Sequence, residues 1–301
     1  MTEALPAFDR HRRLLFTVAY QMLGSVADAE DVVQDAWLRW SSADRADVED
    51  ERAYLVRIAT RLALDRLDSA RSRRETYVGP WLPEPLLTGR GPVGAAEPAP
   101  DPGEAAEVAE QISFALLVVL ETLSPAERAV FVLREVFGMS FAEVAAVLGR
   151  SEAAVRQMGH RAREHVEARR PRFDADRRAQ VEVTERFYAA VASGDLEQLI
   201  AVLSPGVVLV SDGGGIRQAA RRPIEGPDKV ARFLLGIAVK GFAMPGLEVR
   251  LTDVNGRPGV AAWVDGAPFM AVCPVVADGL VDQVLIVVNP DKLAGLGPPS
   301  R

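Results

Sequence analysis

A proline-rich stretch in the first third of the chain separates an N-terminal helical segment from the rest of the sequence. Seven prolines fall between positions 76 and 104: Pro80, Pro83, Pro85, Pro92, Pro98, Pro100 and Pro102. Proline lacks a backbone N–H and clashes with the preceding helical turn, so neither a helix interior nor a central strand can run through this stretch. We therefore predict a linker over residues 76–104, with a domain at 1–75 and further structure from 105 onwards.

The first part of this linker is not typical of a free coil. It carries Trp81, Leu82, Leu86 and Leu87 close together. Large apolar side chains are stabilised when they leave water. We predict that this part docks against a folded domain, and a solvated linker is the alternative.

The residues before the linker have the apolar spacing of three helices, at about 12–23, 27–40 and 52–70. On the second helix, Asp31, Gln34 and Asp35 stand at positions i, i+3 and i+4 and therefore share one face. An acidic face of this kind suits basic residues of a partner. Taken alone, the pattern is also typical of a solvated helix surface.

The third helix is rich in arginine. Its candidates for nucleic-acid contact are Arg57, Arg61, Arg66, Arg71, Arg73 and Arg74, with Tyr54 available to stack on an unpaired base. The net charge of −7 argues against nucleic-acid binding by the chain as a whole. The prediction of nucleic-acid binding therefore depends on where the arginines lie along the chain and not on the total charge. A solvated amphipathic helix is the alternative.

A helix-turn-helix is predicted between residues 140 and 168. Two capping boxes, Ser124-Pro-Ala-Glu127 and Ser140-Phe-Ala-Glu143, mark helix starts, and Gly149 marks a helix end. The second helix of the pair would bury Val155 and Ala162. Its candidates for DNA contact are Ser151, Arg156, Gln157, His160 and Arg161.

The C-terminal part has a different pattern. Helices are predicted at 177–193 and 195–203, a strand at 207–211, a strand at 216–223 and a helix at 227–240. Four apolar or alternating runs follow as antiparallel strands, at 247–254, 258–264, 268–276 and 280–288. This order favours a compact α+β sheet folded around a pocket.

The helical parts resemble a known family. Residues 28–38 resemble the polymerase-binding helix of sigma domain two, residues 53–67 resemble its −10-reading helix, and residues 123–157 resemble sigma domain four. The chain is thus similar, over roughly 7–170, to extracytoplasmic-function (ECF) sigma factors of RNA polymerase. The resemblance implies two all-α domains, at 1–75 and 105–172, that bind the RNA polymerase core enzyme and promoter DNA. Asp31, Gln34 and Asp35 would contact the core, the Tyr54–Arg74 helix the −10 element, and Arg156, Gln157 and Arg161 the −35 element.

Three further motifs resemble a sigma subfamily with a fused SnoaL-like domain, here at 176–301. They are the linker around Trp81-Leu-Pro83, Asp212-Gly-Gly-Gly215 and Asn289-Pro-Asp-Lys292. The resemblance implies a cone-shaped α+β domain that regulates the sigma factor in place of a separate anti-sigma factor. The residues it places between domains are Trp81, Leu82, Pro83, Asp212, Gly213, Gly214, Gly215, Asn289, Pro290, Asp291 and Lys292.

Two other functions stay open at this point. A one-component regulator would use the helix-turn-helix for DNA and the C-terminal pocket for a small-molecule ligand. An enzyme would need a base such as Asp212 in a pocket lined by Trp263 or Tyr188. The C-terminal part contains no histidine, and the single cysteine, Cys273, is predicted to be buried and inert. We predict no enzymatic activity, no cofactor and no metal.

The sequence also bears on location. Residues 1–13 are polar and do not have the pattern of a signal peptide, and no apolar run approaches the roughly 18 residues of a membrane span. We therefore expect a cytoplasmic protein that does not bind membranes.

Overall fold

The computed structural model describes residues 4–44, 48–88, 113–169 and 177–298, with the side chains of 68–75 outside that description. The chain divides into two compact units. One comprises Met1–Thr76 with Leu116–Arg169, and the other comprises Tyr77–Ala115 with Arg170–Arg301.

The first unit begins with three helices: α1 (Ala4–Leu23), α2 (Val26–Ser42) and α3 (Glu51–Glu75). The side chain of Ser25 caps α2 by accepting a hydrogen bond from the N–H of Asp28. Gly24 has a φ of 67°, which ends α1 in the left-handed region as its position after the helix predicts. The predicted apolar faces form the core, with Leu15, Val18, Met22, Val32 and Leu55 fully buried.

Four more helices follow in this region: α4 (Phe114–Leu120), α5 (Pro125–Phe131), α6 (Phe141–Leu148) and α7 (Glu152–Arg169). A short π-helical segment, Val132–Val136, follows α5. Both predicted capping boxes are confirmed, since Ser124 and Ser140 each exchange hydrogen bonds with the glutamate three residues later. Gly149, with a φ of 63°, makes the tight turn between α6 and α7.

The second unit contains one mixed sheet and four helices in its described part. The helices are α8 (Arg177–Ser193), α9 (Leu196–Val202), α10 (Pro227–Phe242) and α11 (Pro290–Leu293). The strands are β1 (Leu203–Asp212), β2 (Ile224–Glu225), β3 (Leu247–Val254), β4 (Arg257–Val264), β5 (Ala267–Ala277) and β6 (Leu280–Val287). Their order is β2-β1-β6-β5-β4-β3, antiparallel throughout except for the parallel pair β1 and β6.

Short turns set the register of the last four strands. Asn255-Gly256, Asp265-Gly266 and Asp278-Gly279 connect successive strands, and all six residues have positive φ. Two-residue turns with this conformation match the twist of the flanking strands. The sheet then packs against α8, α9 and α10 around a core that includes Phe187, Leu199 and Val284.

The predicted strand at 216–223 is wrong. Residues 216–223 form a turn and an irregular segment, and only Ile224–Glu225 pair with β1. The polar groups of this segment bond to side chains and turn backbone instead of a neighbouring strand: Ala220 N–H donates to Ser211 Oγ at 2.8 Å and Arg217 N–H to the Gly213 carbonyl at 3.0 Å. Pro223 has no N–H with which to extend a ladder.

The expected docking of the early linker is confirmed for residues 77–88. Leu82 is 1% exposed. Beyond it, the Thr88 N–H donates to the Asp253 carbonyl at 3.0 Å, and the Asn255 N–H donates to the Leu86 carbonyl at 2.8 Å. The rest of the predicted linker, 89–104, and the predicted start of the next domain at 105 lie outside the described residues.

Candidate functional site

The acidic face of α2 is held by an arginine from α3. Asp31 and Gln34 are exposed and Asp35 is half-buried. Arg66 donates from Nη1 to Asp31 at 2.9 Å and from Nη2 to Asp35 at 2.7 Å. Burial alone would lower the pKa of Arg66, but its hydrogen bonds to the two carboxylates outweigh burial and raise it. Arg66 therefore fixes the acidic face, a contact that its predicted role in DNA binding did not include.

Three further candidates, Tyr54, Arg57 and Arg61, stand at i, i+3 and i+7 of α3 and so share one side of that helix. The ring of Tyr54 packs 5.8 Å from that of Trp40, and the Arg57 guanidinium lies 5.0 Å above the Tyr54 ring. Arg61 is exposed but donates from Nε to the Val147 carbonyl of α6 at 3.2 Å. The side chains of the predicted contacts Arg71, Arg73 and Arg74 lie outside the described residues.

The second helix of the helix-turn-helix presents the predicted residues to solvent. Arg156, Gln157, His160 and Arg161 are all exposed on α7. On the opposite face, Val155 and Ala162 are fully buried, as their spacing predicts. Ser151 caps the helix, with Oγ 3.3 Å from the Ala154 N–H.

Gly159 in the middle of α7 was missed by sequence reasoning. A Cβ at this position would lie 3.2 Å from the Phe141 ring and 3.4 Å from Val130. Glycine therefore permits α7 to approach α6 closely. The available signal was an isolated glycine inside a helical pattern, which often has a packing reason.

The exposed arginines of α7 form ion pairs with carboxylates of the protein itself. Arg156 pairs with Glu152, Arg161 Nε lies 3.1 Å from Glu127, and Arg163 lies 2.6 Å from Glu135. Exposed ion pairs of this kind contribute only about 0–1 kcal/mol. These ion pairs orient the guanidinium groups. Replacing them by contacts to phosphates or bases would cost little free energy.

A buried cluster joins the linker to the end of β1. The Asp212 carboxylate is fully buried and accepts four hydrogen bonds. The donors are Tyr77 Oη at 2.6 Å, Gly214 N at 3.0 Å, Leu82 N at 2.8 Å and Lys292 Nζ at 2.7 Å. One carboxylate thus holds two linker residues and one residue of the last helix.

Lys292 completes the cluster from α11. Its ammonium group donates to the Leu82 carbonyl and lies 4.0 Å from the centre of the Trp81 ring. Asn289 caps α11 and also donates from Nδ2 to Tyr77 Oη at 2.8 Å. Burial, followed by the hydrogen bond to Asp212, raises the pKa of Tyr77, so its hydroxyl stays a donor.

The three glycines after Asp212 let the chain approach this cluster. A Cβ on Gly213 would lie 2.2 Å from the Arg217 carbonyl oxygen, and one on Gly214 would lie 2.4 Å from Asn289 Nδ2. Gly215 faces Val78 of the linker. Pro83 is buried, and Pro290 and Asp291 form the first turn of α11. The three predicted interdomain motifs therefore meet at one place.

The second unit also encloses a cavity of about 800 Å³ between α8, α10 and the sheet. Tyr188 lines it, as expected, but Trp263 does not, and its Nε1 instead donates to the Gly297 carbonyl at 2.8 Å. Asp212 is absent from the lining of this cavity, and its oxygens are taken up by the linker cluster. The alternative role of Asp212 as a catalytic base in the pocket is therefore wrong.

Within the described ranges, no group of three or more His, Cys, Asp and Glu residues could hold a metal ion. Cys273 is buried, and burial raises the pKa of its thiol to about 12. No helix among the described residues is both long and apolar enough to cross a membrane.

Comparison with known proteins agrees with this geometry. Two family models match, Sigma-70 region 2 over residues 7–73 and Sigma-70, region 4 over residues 113–166. The chain is 44% identical to the ECF RNA polymerase sigma factor SigJ of Mycobacterium tuberculosis, over 96% of this chain and 92% of that protein. It is 31% identical to the probable ECF RNA polymerase sigma factor SigI of the same species, over 95% and 93%.

A solved structure matches along almost the whole length. The crystal structure of Mycobacterium tuberculosis SigJ superimposes with a TM-score of 0.76 at 40% identity, covering 97% of this chain and 98% of the other. The match extends over the α+β domain as well as both helical regions.

Proposed function

This chain belongs to the extracytoplasmic-function sigma factors of RNA polymerase, and we propose that its SnoaL-like domain regulates promoter use by holding the linker between the two sigma regions. As a sigma factor the chain binds RNA polymerase and promoter DNA. The match to region 2 covers α2 and α3, which a one-component regulator would not require.

Each sigma region has its own proposed contacts. Asp31, Gln34 and Asp35 bind the core enzyme, with Arg66 as the residue that positions them. Tyr54, Arg57 and Arg61 meet the −10 element. The exposed face of α7, from Ser151 to Arg161, meets the −35 element in the major groove.

The observation that carries the regulatory proposal is the Asp212 cluster. It fixes Tyr77 and Leu82, which lie in the connection between the two sigma regions. Within the first unit these regions also pack together, with Arg61 bonded to Val147 of the helix-turn-helix. Reading two separate promoter elements requires the regions to part, and the length of free linker limits how far they can do so. A fused domain that controls the linker would replace a separate anti-sigma factor.

The proposal predicts that Tyr77→Phe changes transcription without changing DNA contacts. The substitution removes the hydroxyl that bridges Asp212 and Asn289. Loss of a buried hydrogen-bond partner costs about 1–3 kcal/mol, which shifts the docked-to-released ratio about 5- to 150-fold. Transcription by purified core polymerase on a promoter library measures the effect.

The matched control is Ser204→Ala, which removes a hydroxyl that donates to Asp282 in the same unit, outside the linker cluster and the cavity lining. A chain that ends at residue 172 provides the fully released state. We expect Tyr77→Phe and the truncation to change transcript yield in the same direction. Equal yields from these two proteins and the unaltered chain would refute the regulatory proposal while leaving the sigma function intact.

A separate prediction concerns the −35 element. Arg156→Ala and Gln157→Ala should each weaken promoter binding by about 1–3 kcal/mol and relax specificity at one base pair. Glu152→Ala is the control, since it removes the carboxylate that pairs with Arg156 but no base contact. Unchanged −35 preferences for both variants would mean that α7 reads DNA with other residues.

A further inference from the structure

We infer that the cavity of the SnoaL-like domain binds a largely apolar small molecule without positive charge, and that residues 211–221 transmit its binding to the linker. The proposal that the cavity binds a ligand depends only on the properties of the cavity. The transmission step rests on the proposed regulatory function, and the experiments below separate the two.

The walls of the cavity favour an apolar occupant. The lining is mostly apolar and includes Phe187 and Val191 of α8, Phe233 and Ile237 of α10, and Met270 and Val272 of β5. Its volume of about 800 Å³ is within the usual range for small-molecule sites. Filling it with water would require on the order of 25 molecules, and an apolar wall offers them few hydrogen-bond partners.

Three polar side chains of the lining already have partners within the protein. Tyr188 Oη donates to the Val272 carbonyl at 3.3 Å, and Ser211 Oγ accepts from Ala220 at 2.8 Å. Arg232 pairs with Asp228 of its own helix. A ligand would therefore be recognised by shape and burial of its apolar surface.

Charge at the open side selects against cations. The exposed Lys240 belongs to the lining, together with the exposed apolar side chains of Phe242 and Leu251, whereas Arg232 is paired with Asp228. Among the described residues, the lining contains no carboxylate. A neutral molecule, or one with a single acidic group directed to the opening, fits this arrangement.

The residues 211–221 form a wall shared by the cavity and the linker cluster. Ser211, Gln218, Ala219 and Ala220 line the cavity. Asp212, directly after Ser211, holds Tyr77 and Leu82 of the linker.

Other bonds tie the shared wall together. Arg217 donates to the carbonyl of the cavity residue Phe269 at 2.8 Å, and its guanidinium lies 4.7 Å from that ring. Gly215 and Arg221 lie against Val78 and Gly79 of the linker. A ligand that orders residues 218–220 therefore also orders the groups that hold the linker.

The binding step is tested with 8-anilinonaphthalene-1-sulfonate, an apolar monoanion that fluoresces when it leaves water. The full chain should bind it saturably. Gly236→Phe should weaken binding about fivefold or more, because the position lines the cavity and a Cβ there meets nothing within 4 Å. Ile237→Trp is a second filling variant.

The matched control is Gly206→Phe, at an open glycine outside the cavity lining. Sedimentation of the same samples reports the association state. The site is supported if both filling variants weaken binding of the probe and the control variant does not. Unsaturable binding, equal binding by all variants, or self-association that excludes the probe would overturn it, the last because a second copy would then cover the opening.

The transmission step is tested by hydrogen exchange at the Leu82 amide, which donates to Asp212. Saturation with the probe should slow this exchange about threefold or more in the full chain, and Gly236→Phe should remove the effect. Unchanged or faster exchange with the probe bound in the cavity would overturn transmission but not the site. Failure of the regulatory proposal is seen separately, as unchanged transcription by Tyr77→Phe.

Discussion

The double charge reversal Asp31→Arg with Asp35→Arg is expected to abolish binding to core RNA polymerase and, with it, promoter-directed transcription. The two carboxylates share one side of α2 and are held there by Arg66. Replacing them by arginine presents like charge to a basic partner surface, which costs several kcal/mol. A loss of several kcal/mol corresponds to an affinity that falls more than about 100-fold. Binding of labelled protein to core enzyme and transcription from one promoter measure it.

Two controls separate charge at this face from general effects. Glu185→Arg with Glu197→Arg makes the same change in net charge at two exposed positions of the second unit. Asp31→Asn with Asp35→Asn keeps hydrogen-bond acceptors for Arg66 but removes the charge, and we expect an intermediate loss. If the charge-reversed chain is folded and still binds core enzyme with normal affinity, the assignment of the acidic face is wrong.

Arg66 illustrates what the sequence could not provide. The i, i+3, i+4 spacing predicted that Asp31 and Asp35 share a face, because that spacing depends only on helix geometry. The partner of that face comes from another helix, since Arg66 lies 31 positions after Asp35 in the chain. The arginines of α3 look alike in the sequence, and only the packing of α3 on α2 distinguishes Arg66 from Arg57 and Arg61.

The elements that were predicted well have local causes. The starts of α5 and α6 follow from capping boxes, and the last four strands follow from turns with asparagine or aspartate before glycine. The strand expected at 216–223 failed because its backbone groups bond to Ser211 and Gly213 in place of a neighbouring strand. Composition alone does not reveal that side chains and turn backbone will compete with a neighbouring strand for these hydrogen bonds.

The three motifs of the linker cluster were singled out through a resemblance, and the structure shows that their residues bond to one another. The motifs at 81–83, 212–215 and 289–292 were expected to lie between domains. Tyr77 was not singled out, yet its hydroxyl bridges Asp212 and Asn289. The residue was hard to identify because a single tyrosine beside a proline-rich stretch has no periodic signal. Likewise, nothing local indicated that Trp263 would point away from the cavity.

Asp212→Ala should be the most destabilising single substitution in the cluster, at about 3–5 kcal/mol. It leaves the ammonium of Lys292, which is 8% exposed, without its carboxylate. It also removes the acceptor of the Tyr77 hydroxyl and the Leu82 amide. We expect the melting temperature of the SnoaL-like unit to fall by about 10–20 °C in calorimetry. Asp228→Ala is the control, because its pair with Arg232 lies within one helix and is exposed, so that solvent screens it and its loss should change stability little.

A double-mutant cycle with Lys292→Met identifies the source of that loss. If the cost comes mainly from a buried ammonium that has lost its carboxylate, Asp212→Ala with Lys292→Met should be more stable than Asp212→Ala alone, since an apolar replacement of both charges is often nearly neutral. If the two losses simply add, the pair contributes through hydrogen bonds to the linker and not through charge. A double variant more stable than Asp212→Ala would distinguish an effect on folding from an effect on linker docking. The stability of the unit would be restored, although the Tyr77 hydroxyl and the Leu82 amide would still lack the Asp212 carboxylate as acceptor. Transcription by the double variant should then match that of Tyr77→Phe, because both variants release the linker from a folded domain.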